Sequence, residues 1–414
     1  MAGAMSREPS YHPPEETLAA YARVLIDFAL GGGGGIEPGD VVRIVTPEAA
    51  KPLYVELHRA VLRSGGHPIG HYLPSEDAQF NIQRDYFELA SEQQLDFFAA
   101  RYMKGLVEEI DHQVSIICDT DMHALEGIEP SKIMRSSKAM KPWLQWRTEK
   151  ENRGDFSWTL ALYGTAAMAA EARISQQEYW EQITEACFLD EPDPIARWRE
   201  VSAQIGAYVQ RLSSLPIEKL HVLGQDVDLH LTVGESRKWV GGSGRNIPSF
   251  EIFTSPDWRG TEGWIQFNQP LYRYGNLIKR ARLEFERGLV VKASAETSEH
   301  VLAEMIATEG ANKVGEFSLT DRRFSRITRF MAETLYDENV GGPFGNTHIA
   351  VGKSYHDCYA GDPADVTAQE WQRLGFNEST VHTDIVSTAD RTVTATLTDG
   401  SARVIYRDGQ FQLD

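Results

Sequence analysis

Acidic residues and histidines gather beside small or turn-forming residues in four short segments of the second half of the chain. They are RNIPSFEIF with Glu251, KVGEF with Glu316, DENVGGPFGNTHIAVGKSY with Glu338, His348 and Tyr355, and VHTDIV with His382 and Asp384. Oxygen and nitrogen donors of these types hold divalent cations, and a carboxylate not needed as a ligand can carry protons. Taken singly, each has an ordinary reading too: a glutamate before an apolar pair is a solvated strand residue, and a lone histidine is a hydrogen-bonded structural one. His382 and Asp384 stand two apart, so on an extended strand both side chains leave the same face and can grip one ion or two adjacent ions. His348 follows a glycine-rich bend and enters the apolar Ile-Ala-Val, where an ionisable side chain needs a partner, whether a metal or a carboxylate. No H-E-x-x-H, Cys-x-x-Cys or Gly-x-Ser-x-Gly occurs, which sets aside the common zincin, zinc-finger and serine-hydrolase readings.

The elements that must position these residues differ between the two halves. Apolar Leu18, Tyr21, Ala22, Leu25, Ile26 and Ala29 recur at helical spacing and predict an amphipathic helix over 15–30. The five glycines that follow, Gly31 to Gly35, come after a helix and precede no Gly-Lys-Ser/Thr, so they read as a flexible connector and not as a phosphate cradle. An apolar run at 41–45, a helical pattern through Leu53, Leu57, Val61 and Leu62 closed by Gly65 and Gly66, and an extended run at 69–73 form a βαβ unit. A helical stretch at 86–103 and a buried strand at 114–118 continue an α/β layered domain, and 156–212 reads as mainly helical. After Leu215 and Pro216 the texture changes. In QDVDLHLTV, Val227, Leu229, Leu231 and Val233 alternate with polar residues, the period of a half-exposed antiparallel strand, and Asp399-Gly400 and Asp408-Gly409 signal tight hairpins. The expected fold is an α/β N-terminal domain at 1–215 and an α+β C-terminal domain at 216–414, mainly antiparallel sheet, with helices near 298–309 and 323–335.

With 414 residues and a 42% hydrophobic share, the chain is too long for one ordinary core and suits two domains. Its 60 acidic against 41 basic residues, net −19, disfavour nucleic acid and anionic lipid as partners. No run approaches the roughly 20 apolar residues of a membrane span, and the start, MAGAMSREPSYHPPEE, lacks the apolar core of a secretory signal, so a cytoplasmic location is expected. Cys118, Cys187 and Cys358 are sparse and odd in number, which fits reduced thiols and small buried hydrophobes better than a disulfide framework or a nucleophile.

The order of these motifs resembles the aminopeptidase T family of metallopeptidases, which includes bacterial aminopeptidases S and PepS, over nearly the whole chain. In the first half the likeness rests on YARVLIDFAL and the helix ending LRSGGHP; in the second it rests on NIPSFEIFTSP, VGEFSLT, ETLYDEN with THIAVGKSY, and GFNESTVHTD, in that order. The resemblance implies a site for two divalent ions (Zn, Co, Mn or Mg) with Glu251, Glu316, His348, His382 and Asp384 as ligands, and with Glu338 and Tyr355 at the catalytic centre. Two ions ~3.5–4 Å apart acidify a shared water and polarise a peptide carbonyl, with Glu338 moving the proton and Tyr355 steadying the oxyanion. It also implies a peptide or small amide substrate and a homodimer. Two departures stand out: ten positions separate Glu338 from His348, more than in the family, through VGGPFG, and Ile385-Val386 replaces the usual Phe-Met after His-x-Asp. The longer loop leaves the position of Glu338 to the fold. A hydrolase of non-peptide amides is the alternative reading. An iron-dependent ring-cleaving dioxygenase of the same fold is less favoured, since Glu251 and Glu316 crowd the site with carboxylates, and a non-catalytic binder would have lost a ligand.

Overall fold

The structure is a computed structural model that describes residues 11–77 and 79–413. Residues 1–10, on which most of the expectation about the leader rests, lie outside the described residues. The chain builds a mixed α/β fold with several sheets.

In the first half, Val41–Pro47, His67–Leu73, His112–Ile117 and Ser157–Leu162 pair in parallel, with helix Lys51–Arg63 making the crossover of the expected βαβ unit. The leading helix Glu15–Val24 runs on as a π-helical turn over Leu25–Ala29, so its apolar stripe stays buried to the end. The glycine run is a loop closed on itself and on the sheet. Gly35 has φ +81° and sits so close to Asp27 that a Cβ would lie 2.6 Å from the Asp27 carbonyl oxygen, which only glycine permits. The Gly31 N–H donates to Ser157 Oγ at 2.9 Å; Ser157 bonds His112 Nδ1 at 2.8 Å, and His112 Nε2 bonds Asp40 at 2.9 Å, which ties the loop to the starts of three parallel strands.

Helices Ala166–Glu171, Gln176–Ala186 and Pro194–Ser214 bear out the mainly helical reading of 156–212, with a Ser175/Glu178 capping box and an Asp193 N-cap. Within that region Ser157–Leu162 is a strand, against the expectation. Its six residues are too few for periodicity to separate a buried strand from a helical turn, and its parallel neighbours decide.

The second half holds an eight-stranded antiparallel sheet in which Val227–Thr232 alternates buried and exposed as expected. Hairpins turn at Asp399-Gly400 and Asp408-Gly409; Asp408 and Gly409 both have positive φ, the geometry of a tight primed turn. Helix Glu299–Ala307 falls where one was expected. A helix over 323–335 does not form: only Thr334–Asp337 is helical. There, carboxylates take the backbone donors that a helix would use. Asp321 accepts from the Arg323 N–H, Asp337 accepts from the N–H groups of Met331 and Glu333, and Ala332 turns to φ +54°.

A second antiparallel sheet, five strands in the order His382–Ser387, Asn346–Gly352, Val314–Thr320, Glu251–Thr254 and Val240–Gly241, is buried almost throughout. The two-residue strand Asn246–Ile247 joins the parallel sheet beside Leu160 and Ala161, so the chain passes from one sheet into the other just before Glu251. The apolar core is continuous across this crossing: Trp198 stacks between Phe28 and Phe250, with ring centroids 6.1 and 5.6 Å away.

Candidate metal centre

All five of the predicted ligands stand on the five-stranded sheet. Residues directly opposed in an antiparallel ladder share a face, and Glu316, Ala350 and Asp384 are opposed in one row. The small Ala350 lies between the two carboxylates, so nothing larger than a methyl group separates them. Ser318 is opposed to His348 in the next row, and Gly352 to His382 on the other side, which brings both imidazoles to the same patch. A β-bulge at Gly315 shifts the register immediately before Glu316. Its backbone is so close to the next strand that a Cβ would lie 2.3 Å from the Lys353 carbonyl oxygen. Glu251 enters from the adjacent strand; the Phe250 N–H before it donates to Asn339 at 2.6 Å, and Ser249 and Ser318 hydroxyls each lie 3.3 Å from its carboxylate.

The side chains converge. His348 Nε2 is 3.2 Å from both Glu251 and Glu316 and 3.9 Å from Asp384; His382 Nε2 is 3.6 Å from Glu316 and 3.5 Å from Asp384. Three overlapping groups have their donor atoms within 4.8 Å of one another: Glu251, Glu316 and His348; Glu316, His382 and Asp384; and Glu338, His348 and Asp384. Glu316 belongs to the first two, as a bridging ligand would.

Glu338 is not on the sheet but follows the short helix Thr334–Asp337, and it is only 4% exposed. The loop that lengthens its separation from His348 loops out and returns. The Asn346 side chain donates to the Asp337 carbonyl at 2.8 Å, and the Tyr406 hydroxyl donates to Thr320 at 2.9 Å beside Gly345. Asn246 and Asn339 side chains then donate to the Glu338 carboxylate at 3.2 and 3.4 Å. Tyr355 sits with its ring 4.7 Å from that of His382, and among the described residues its hydroxyl makes no hydrogen bond. Glu251, Glu316, Glu338, Tyr355, His382 and Asp384 line a small cavity of about 30 Å³ that also borders Arg245 and Trp158.

The electrostatics describe a cluster in need of positive charge. Burial, and after it the neighbouring Glu251 and Asp384, pushes Glu316 up to about 7 despite its bond to His348; Glu338 is driven well above the usual carboxylate range by burial and then by Asp384. Burial pushes both imidazoles down, yet hydrogen bonds to Glu251 and Glu316 hold His348 well above its ordinary value, and Asp384 lifts His382 to about 9. Burial would raise Asp384 too, but His382 overrides it and brings it to about 2. Protons and imidazolium charges thus occupy the role that cations would take. One buried atom carries the same message: Asp384 Oδ1 has no hydrogen-bond partner. His382 Nδ1 donates to the Lys353 carbonyl at 2.8 Å, and because a carbonyl only accepts, Nε2 is the nitrogen that faces the cluster and would offer its lone pair once the ring is neutral. The donor set and its geometry fit divalent cations of the Zn, Co, Mn and Mg class.

Residues that sequence reasoning passed over complete the site. Asn246 and Asn339 hold Glu338, and Lys353 fixes the His382 tautomer through its backbone. Arg245 pairs with Asp357 and, at 2.7 Å, with Glu151, while its guanidinium lies 5.5 Å from the centre of the Tyr355 ring. Asn246 and Arg245 stand inside the quoted RNIPSFEIF, but only the strand crossing reveals their use.

A buried patch of carboxylates and imidazoles on a sheet, overlapping about a shared glutamate and open to a cavity, could hold divalent cations. Residues 14–411 match the family described as thermophilic metalloprotease (M29), and the chain belongs to that family. Aminopeptidase T of Thermus thermophilus is 28% identical over 94% of this chain and 97% of its own length, and aminopeptidase PepS of Streptococcus thermophilus is 26% identical over 96% and 98%. The solved structure of wild-type AmpT from Thermus thermophilus superposes with a TM-score of 0.77 at 25% identity, over 96% of this chain and 99% of that one. A dihydroxypyridine dioxygenase from Pseudomonas putida shares the fold, with a TM-score of 0.51 at 13% identity over 96% of each chain. The protein is therefore a hydrolase with divalent-metal chemistry, and a likeness of fold alone does not favour the dioxygenase reading.

Proposed function

We propose that this protein is an aminopeptidase that removes N-terminal residues from peptides with two divalent cations. Glu251, Glu316 and His348 would hold one, and Glu316, His382 and Asp384 the other, within the C-terminal domain at 216–414. The observation that carries this reading is the pair of ligand groups joined through Glu316. When bound, such a pair supplies Lewis acidity to a carbonyl and acidifies water. The chain's own residues do the rest. Glu338 accepts the proton of the attacking water and passes it to the leaving amine, and the free Tyr355 hydroxyl donates to the oxyanion of the tetrahedral intermediate. A substrate ammonium is drawn to the carboxylate-lined cavity, which favours cleavage at a free N-terminus. The reading extends to a homodimer, as the resemblance implies, and to the cytoplasmic location expected from the sequence; no helix of the described residues is long and apolar enough to cross a membrane.

The direct test is a panel of aminoacyl-anilides and short peptides, free and N-acetylated, assayed before and after chelation and reconstitution with each candidate ion. Cleavage of free but not acetylated substrates, abolished by chelator and restored by metal, is the expected result. Failure of every aminoacyl substrate with turnover of other small amides would move the assignment to a non-peptide amidase. Chelation is also expected to lower the melting temperature by several degrees, about 1–3 kcal/mol of lost linkage, because four buried carboxylates then face one another without cations. A melting curve with and without chelator reads this directly.

Tyr355→Phe removes one hydrogen-bond donor and nothing else from the cavity wall. We expect kcat to fall about a hundredfold with KM nearly unchanged, the signature of a contact made only in the transition state. Equal kcat in the two proteins would take Tyr355 out of the reaction.

A further inference from the structure

Among the described residues, one group of side chains outside the cavity just described is also arranged to hold a cation. Strands Ile217–Gly224 and Val227–Thr232 pair antiparallel, and His221 is directly opposed to His230. Leu220, Val222, Leu229 and Leu231 are buried beneath, so both histidines and Asp228 stand on the outer face of the eight-stranded sheet. The imidazoles lie face to face, with ring centroids 4.1 Å apart and planes within 8°. Both turn Nε2 toward one oxygen of Asp228, at 2.8 Å from His221 and 3.8 Å from His230. All three donor atoms are within 4.8 Å of one another.

We propose that His221, Asp228 and His230 form a surface site for a borderline divalent cation such as Zn, Ni or Cu, separate from the hydrolytic centre. Tetrahedral zinc with bonds of about 2.0–2.1 Å separates its ligand atoms by roughly 3.3 Å, and the two distances to Asp228 straddle that value. The rings now lie parallel, so rotation about the side-chain bonds must splay them before both in-plane Nε2 lone pairs can face one ion, while the backbone ladder holds the three Cα positions. A hydrogen bond explains only half of the arrangement. His221 satisfies one acceptor position of Asp228, but His230 is packed against its twin with no hydrogen bond to the carboxylate, and two adjacent imidazoles repel once both are charged. A shared cation removes both costs. Two imidazoles and one carboxylate select this class of ion over Ca or Mg. Glu262, opposed to His230 on the next strand, adds negative charge on the same face, and Lys219, two residues before His221, opposes it. With three protein ligands, the remaining positions open to solvent.

The site bears on any count of cations in this enzyme: protein prepared with excess Zn or Ni carries one equivalent more than its hydrolytic centre holds. The test is calorimetric titration of the metal-loaded enzyme with Ni, comparing wild type with His221→Ala, His230→Ala and the milder His230→Gln. Wild type takes up one further equivalent, and each variant loses it or binds more than about tenfold more weakly, as removal of a direct ligand requires. Hydrolysis of aminoacyl-anilides, equal in all four proteins, shows that each is folded with its hydrolytic centre intact. In the copper-loaded protein, electron paramagnetic resonance shows coupling to two nitrogens, reduced to one in His230→Ala. Identical uptake and affinity in wild type and the variants overturns the proposal.

Discussion

Replacing Glu316 by glutamine is expected to cost nearly all hydrolysis and most of the metal at the proposed centre. Glu316 lies at the middle of the buried five-stranded sheet, 3% exposed, and is the carboxylate common to two ligand groups. Glutamine keeps the volume, so the sheet and the Gly315 bulge are undisturbed, but it offers one neutral oxygen where two charged ones stood. Both proposed groups lose a charged ligand in one step, and the amide nitrogen must face either His348 or His382, which lie 3.2 and 3.6 Å from the two carboxylate oxygens. A fall of about a thousandfold or more in kcat/KM is expected, about 4 kcal/mol of transition-state stabilisation, with metal content measured by mass spectrometry dropping well below that of wild type. The variant folds, because removing one of four mutually repelling carboxylates relieves burial strain and does not add to it. Glu316→Gln with wild-type activity and metal content would remove Glu316 from the centre and with it the two-cation reading.

How much of this was visible beforehand differs by element. Strands whose side chains alternate between core and water, such as Val227–Thr232, declared themselves, and so did the Asp-Gly hairpins, because period and turn chemistry are local properties. The shared face of His382 and Asp384 followed from their spacing for the same reason. Convergence of five donors spread over 251–384 did not follow from period or spacing; it was implied by the order of motifs in a resembling family. Features decided by distant partners were illegible. Asn246–Ile247 is a strand of two residues that exists only because Leu160 and Ala161 receive it, and 323–333 resists helix formation because Asp321 and Asp337 capture its N–H groups. The position of Glu338 belongs to this class as well, since the fold of the loop after it depends on Asn346 and Tyr406.

Glu338→Gln separates two roles that the geometry allows this residue. Its carboxylate is within reach of His348 and Asp384 as a third ligand group, yet it is also the one acidic residue off the sheet, held by two asparagine amides instead of by a histidine. The asparagines matter because a neutral donor fixes a carboxylate without supplying charge. Glu338 therefore keeps the high proton affinity that burial and then Asp384 impose. With cations beside it the carboxylate would be ionised, able to take a proton from water and release it to an amine. Glutamine accepts the same Asn246 and Asn339 hydrogen bonds but carries no transferable proton. We expect kcat to fall by about 10²–10⁴-fold while the cation content and KM stay near those of wild type. If the cations leave with the carboxylate, Glu338 is a ligand, and the proton must be carried by another group. The paired measurement of turnover and metal content on one protein sample decides between the two, and a variant that retains both full turnover and full metal would exclude Glu338 from either role.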